Sequence, residues 1–147
     1  MGSTYYSLHY HIVFSTRDRA PMIPAEWASR LHGYLGGPVR GLGGVVHAIG
    51  GVENHVHLAV GLKATHRISD FMREVKSGSA VWAKANLYDK FGWQEGYSAF
   101  SVSANALPAI VKYIQNQEAH HAKHDFLDEL RALLKNEGVK YDERFLA

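Results

Sequence analysis

The sequence predicts an α+β fold in which helices pack on one face of an antiparallel sheet. Three observations carry this expectation. Apolar residues alternate with period two in some segments and recur at helical spacing in others. The segments follow one another as strand, helix, strand, strand, helix, strand, helix, helix. The chain has 147 residues, 46% hydrophobic and 20% charged, which suffices for the core of a single domain spanning 1–147.

Each element has its own signal. Tyr6, Leu8, Tyr10, Ile12 and Phe14 alternate with Ser7, His9, His11, Val13 and Ser15, which predicts a half-buried first strand. Pro24 stands where a helix can begin, and Trp27, Leu31, Tyr34 and Leu35 continue it until Gly36-Gly37-Pro38 stops it. Val45–Val52 reads as a second strand with a turn or bulge at Gly50-Gly51, and His55–Leu62 as a third. From Ile68 to about Asn86, the residues Ile68, Phe71, Met72, Val75, Ser79 and Trp82 mark one face of a long helix. Tyr97–Ser103 alternates again, as a fourth strand. Asn105 is suited to cap a helix whose stripe is Leu107, Ile110, Val111 and Ile114. A last amphipathic helix carries Phe126, Leu127, Leu130, Leu133 and Leu134 and ends at Gly138. This order is the split βαβ plan of ferredoxin-like and RRM-like folds, with one sheet face left open for a ligand.

Composition removes several function classes. Cysteine is absent, which excludes disulfide frameworks, thiol catalysis and zinc sites built on thiolates. No apolar run approaches the roughly 20 residues that cross a bilayer, and no signal peptide opens the chain. The expectation is a cytoplasmic protein with no membrane partner. A formal charge of +2 permits nucleic-acid binding without demanding it. Ten histidines are the unusual count, since histidine is both a metal ligand and a proton carrier near neutral pH.

The sharpest motif is His55-Val56-His57 in the third strand. Alternation puts His55, His57 and Ala59 on one face, with Val56, Leu58, Val60 and Leu62 on the core side. Two imidazoles are then presented side by side, within reach of one small cation. A histidine-triad hydrolase needs a third histidine where Ala59 stands. The other class that uses such a pair, the HUH endonucleases, holds a divalent metal with it and attacks DNA with a tyrosine from a helix. Tyr113 and Gln117, four residues apart, stack on a polar flank of the predicted third helix. A tyrosine hydroxyl, with a pKa of about 10, is a poor nucleophile unless its proton is drawn off or its target is polarised. A metal on His55, His57 and the amide oxygen of Gln117 would polarise a phosphodiester and stabilise the departing 3′-oxygen. Two imidazoles and a neutral oxygen suit Mg²⁺ or Mn²⁺.

On these residues the chain resembles the IS200-like family of single-tyrosine HUH transposases. The resemblance covers the opening strand Tyr5–Thr16, the segment Asn54-His55-Val56-His57-Leu58, the long helix, Gly92-Trp93-Gln94, and Tyr113-Ile114-Gln115-Asn116-Gln117. It implies Tyr113 as nucleophile and His55, His57 and Gln117 as ligands of Mg²⁺ or Mn²⁺. It further implies cutting of single-stranded DNA beside hairpins at element ends, through a 5′-phosphotyrosine. The agent would be a homodimer whose sites combine the histidine pair of one subunit with the tyrosine of the other. Val52-Glu53 departs from the Met-Pro that the family often has before this step. Arg17, Arg19, Arg67, Arg73 and Lys76 are the candidate phosphate contacts, and Trp93 and Tyr97 the candidate stacking surfaces. His120, His121 and His124 read as solvated surface, or else as outer groups of the metal site or DNA contacts. The alternative function is a non-catalytic regulator that binds single-stranded nucleic acid on the same fold. It has no need of His55, His57, Tyr113 and Gln117 together.

Overall fold

The computed structural model describes residues 2–146. Strands β1 (His9–Ser15), β2 (Val45–Val52), β3 (His55–Gly61) and β4 (Ser98–Val102) form an antiparallel sheet in the order β2-β3-β1-β4. The α+β class and the antiparallel sheet are those the alternation predicts. β1 is shorter than expected, because β3 ends at Gly61 opposite His9 and offers nothing for Tyr6 to pair with. The irregularity in β2 falls at His47, between Val46 and Ala48, and not at Gly50-Gly51.

Helices α1 (Ala25–Gly41) and α2 (Ile68–Asn86) pack on one face. They bury Leu31, Leu35, Phe71, Met72 and Val75 against Ile12, Phe14, Val56, Leu58 and Val60 of the sheet. α1 runs through Gly36-Gly37-Pro38, where the sequence pattern ended it. Leu35 and Val39, both fully buried, fix this last turn to the core. Their burial, roughly 1.5–3 kcal/mol each, offsets the hydrogen bond that Pro38 lacks.

Helices α3 (Leu107–Gln115), α4 (Gln117–His121) and α5 (Phe126–Asn136) cover the opposite face. The expectation of helices on one face and an open sheet on the other is corrected here. The outward positions of the strands are themselves apolar. Ala48 and Ala59 receive Ile114, Ile110 and Val111 of α3, while Val13 and Phe100 receive Phe126, Leu130 and Leu134 of α5. Gly50 sets how closely α3 approaches, since a β-carbon there would collide with the Ile114 carbonyl oxygen. Asn105 does not cap α3; the Ser103 hydroxyl oxygen accepts from the Ala106 N–H at 3.2 Å instead. Asp125 caps α5 by accepting from the Asp128 N–H at 2.8 Å. Among the described residues no helix is long and apolar enough to cross a membrane.

Candidate active site

The site lies between the sheet and the second helical layer. His55 and His57 project from β3 toward α3–α5, as alternation requires, and both are fully buried. His57 Nδ1 lies 2.8 Å from Nε2 of His11, which projects from the neighbouring strand β1. Burial first, and then the proximity of His57, push His11 down to about 3, so its ring is neutral at ordinary pH. His55 Nδ1 lies 2.8 Å from Asn54 Oδ1, and its ring stacks on Phe126 with centroids 4.3 Å apart.

Gln117 reaches the same place by a different route from a continuous helix. α3 ends at Gln115, the helix is interrupted at Asn116, and Gln117 opens α4. Its side chain is buried, with Oε1 3.1 Å from His55 Nε2. Tyr113, on the last turn of α3, sets its ring 5.7 Å from that of His57. The structure therefore brings His55, His57, Tyr113 and Gln117 together within one chain. The histidine pair faces its own tyrosine, whereas the resemblance implied a tyrosine from a partner. The close seat of α3 on Gly50, Ala48 and Ala59 is what holds it there.

At the centre stands a residue that the motif reading passed over. Glu129 of α5 is buried, and its Oε1 lies 3.0 Å from His57 Nε2, 3.1 Å from His55 Nε2 and 3.0 Å from His121 Nε2. Its Oε2 accepts from Gln117 Nε2 at 2.9 Å and from the Tyr113 hydroxyl. Burial alone would raise this carboxyl, but the bonds from His121, His55 and His57 hold it well below the usual range. Tyr113 moves the other way: burial, then its bond to Glu129 and the carboxylate charge, lifts the phenol above its ordinary value. His57 is lowered, chiefly by burial. His121 is raised despite its burial, because Glu129 favours its charged form. A signal for Glu129 existed, since it falls three residues after Phe126 and four before Leu133, inside the apolar stripe of α5.

His120 is half-buried near Tyr113, with Nε2 3.5 Å from Glu129 Oε2 and no hydrogen bond. His121, read from sequence as one of a solvated group, is instead part of the cluster. His55, His57, His121 and Glu129 bring their ligand atoms within 4.8 Å of one another, a set that fits a divalent metal.

The five candidate cations do not gather here. Arg67, just before α2, and Arg73, within it, lie beyond the sheet and flank Asp70 at 3.9 and 3.2 Å. Lys76 donates to the Gln94 and Gly96 carbonyls, each at 2.6 Å, and so fastens the loop before β4. Arg17 packs its guanidinium over Gly92. Arg17 and Arg19 occupy a short helical turn, Arg17–Arg19, that follows β1. Trp93 is no stacking surface, being buried with its Nε1 donating to Ser79 Oγ at 2.9 Å; Tyr97 is exposed.

Comparison with known proteins identifies the family. Residues 4–117 match the family model described as transposase IS200 like. The chain belongs to the IS200-like transposase family. Among family relatives, the ISDra2 transposase TnpA of Deinococcus radiodurans is 28% identical over 119 residues, covering 76% of this chain and 85% of its own. The crystal structure of a candidate transposase from Deinococcus radiodurans R1 superposes with a TM-score of 0.64 at 27% identity, covering 80% of this chain and 96% of that one. A REP-associated tyrosine transposase bound to a REP hairpin shares the fold, with a TM-score of 0.61 at 16% identity over 82% of this chain and 74% of that one. The IS200-like match ends at Gln117, so His121 and Glu129 lie outside it.

Proposed function

We propose that this IS200-like transposase cuts and rejoins single-stranded DNA with Tyr113 as nucleophile. The observation that carries the reading is the convergence of Tyr113 and Gln117 on the buried pair His55 and His57. The Tyr113 oxygen attacks the phosphorus and the bond to the 3′-oxygen breaks. The products are a 5′-phosphotyrosine and, once the oxygen is protonated, a free 3′-hydroxyl. The phenol proton leaves along its existing bond to Glu129 Oε2. A second 3′-hydroxyl then attacks the phosphotyrosine, so rejoining needs no nucleotide cofactor. His55, His57 and Gln117 Oε1 would hold Mg²⁺ or Mn²⁺, which supplies Lewis-acid polarisation of the phosphate when bound. His11 and Asn54 orient the two imidazoles from behind. The relative bound to a REP hairpin supports hairpin DNA as the substrate form.

The test is a labelled hairpin oligonucleotide with a single-stranded flank, incubated with Mn²⁺ or Mg²⁺. A covalent adduct should form with the wild type, vanish in Tyr113→Phe and vanish in excess chelator. An adduct of undiminished yield on Tyr113→Phe would overturn the assignment of the nucleophile.

A further inference from the structure

Hydrogen-bond accounting in the buried cluster does not close while its imidazoles are neutral. A neutral imidazole has one N–H and one lone pair. His121 Nδ1 faces the backbone carbonyl of His124 at 2.7 Å, an acceptor only, so that nitrogen carries the proton. While the ring is neutral, its Nε2 turns a lone pair toward Glu129 Oε1 at 3.0 Å, and only a cation at that nitrogen, a proton or a metal ion, relieves the contact. His55 repeats the pattern. Its Nδ1 faces Asn54 Oδ1 at 2.8 Å, and its Nε2 faces Glu129 Oε1 and Gln117 Oε1, each at 3.1 Å. The Gln117 amide cannot turn to help, because its Nε2 already donates to Glu129 Oε2. Lone pairs thus meet lone pairs in a place sealed from solvent, which is costly unless a positive charge lies between them. Protonating every ring would crowd charges onto imidazoles whose centroids lie 4.5 and 5.0 Å apart. One divalent cation answers the whole deficit, and outer acceptors that fix the distal N–H are the usual partners of metal-binding histidines.

We propose that Glu129 and His121 are metal ligands, completing with His55, His57 and Gln117 a divalent-cation site built within one chain. This rests on the metal reading above and enlarges it by two residues from outside the family's matched span. With three imidazoles and a carboxylate, the site favours Mn²⁺ over Mg²⁺, because nitrogen donors suit the softer ion.

The experiment uses the full chain stripped with chelator. Zn²⁺ serves as a diamagnetic probe in long-range ¹H–¹⁵N spectra of the imidazoles, and Mn²⁺ affinity is read from the resonance of the free ion. Zn²⁺ should move the Nε2 signals of His55, His57 and His121 together. Glu129→Gln and His121→Gln should each weaken Mn²⁺ binding by about tenfold or more. Shifts confined to His55 and His57, with full Mn²⁺ affinity retained in both variants, would overturn the proposal and leave the two-histidine reading standing. No metal binding by the wild type would overturn both. The count of shifted imidazoles is made on the wild type, so it stands even where a variant fails to fold.

Discussion

The Tyr113 hydroxyl donates to Oε2 of Glu129, joining the end of α3 to the first turn of α5. The proposed nucleophile is therefore held protonated at rest, with burial and the carboxylate both opposing phenolate. Replacing the carboxylate by a neutral amide removes one of these two causes. Glu129→Gln should lower the ionisation midpoint of Tyr113, followed by the ¹³Cζ shift of labelled tyrosine in metal-free protein. A midpoint that stays or rises would mean that the carboxylate does not govern this phenol.

Gly50→Ala places a methyl where the Ile114 carbonyl oxygen sits, and backbone cannot yield as a side-chain tip does. The variant should lose about 1–3 kcal/mol of stability and much of its adduct yield, as α3 lifts from the sheet. Urea melts and the adduct assay check the two effects separately. Wild-type values in both would show that α3 is not seated on Gly50.

His57→Ala tests burial of the pair. On an open sheet face the change would cost little. Here it leaves His11 Nε2 without its partner in a closed interior, a penalty of about 1–3 kcal/mol. Denaturant titration in chelator measures it, and a cost near zero would contradict the closed site.

Subunit mixing distinguishes cis from trans assembly. With Tyr113 seated over its own histidines, Tyr113→Phe and His57→Ala should each be inactive and stay inactive when mixed. A phosphotyrosine adduct on the His57→Ala chain after proven subunit exchange would establish a composite dimer site.

A pH dependence should arise away from the site. His32 on α1 has a buried Nε2 with no partner, and burial lowers its pKa from the ordinary 6.5. Between the lowered folded value and 6.5 the unfolded chain binds the extra proton, so stability is complete above 6.5 and falls as pH drops below it. His32→Leu should flatten this slope between about pH 7 and 5 in chelated protein. Identical slopes in the two proteins would refute the assignment.

Much of the fold was legible because strands and helices announce themselves by period. Alternation placed His55 and His57 opposite Val56 and Leu58 correctly, and the bounds of α2 follow from its stripe. Occupancy of the second face was not legible. The strand positions Val13, Ala48, Ala59 and Phe100 gain meaning only when α3 and α5 descend on them. Glu129 was hidden for a related reason. A carboxylate among leucines is conspicuous, but its two partners on β3, His57 and His55, lie 72 and 74 residues upstream, and no local spacing connects them to it. His11 joins His57 only through the β1–β3 register. The candidate cations carry a weaker signal, since Arg and Lys are as readily spent on Asp70 or on loop carbonyls as on phosphate.

The placement of α5 also bears on how this protein can be divided. The family-model match stops at Gln117, and a fragment trimmed there would keep the sheet, the histidine pair and Tyr113. It would forfeit the carboxylate that all of them face and bare the apolar surface around Val13 and Phe100. A cut at that boundary would thus pass through the middle of the proposed centre. Any graft of the proposed site onto another protein has to carry the segment through Asn136 with it.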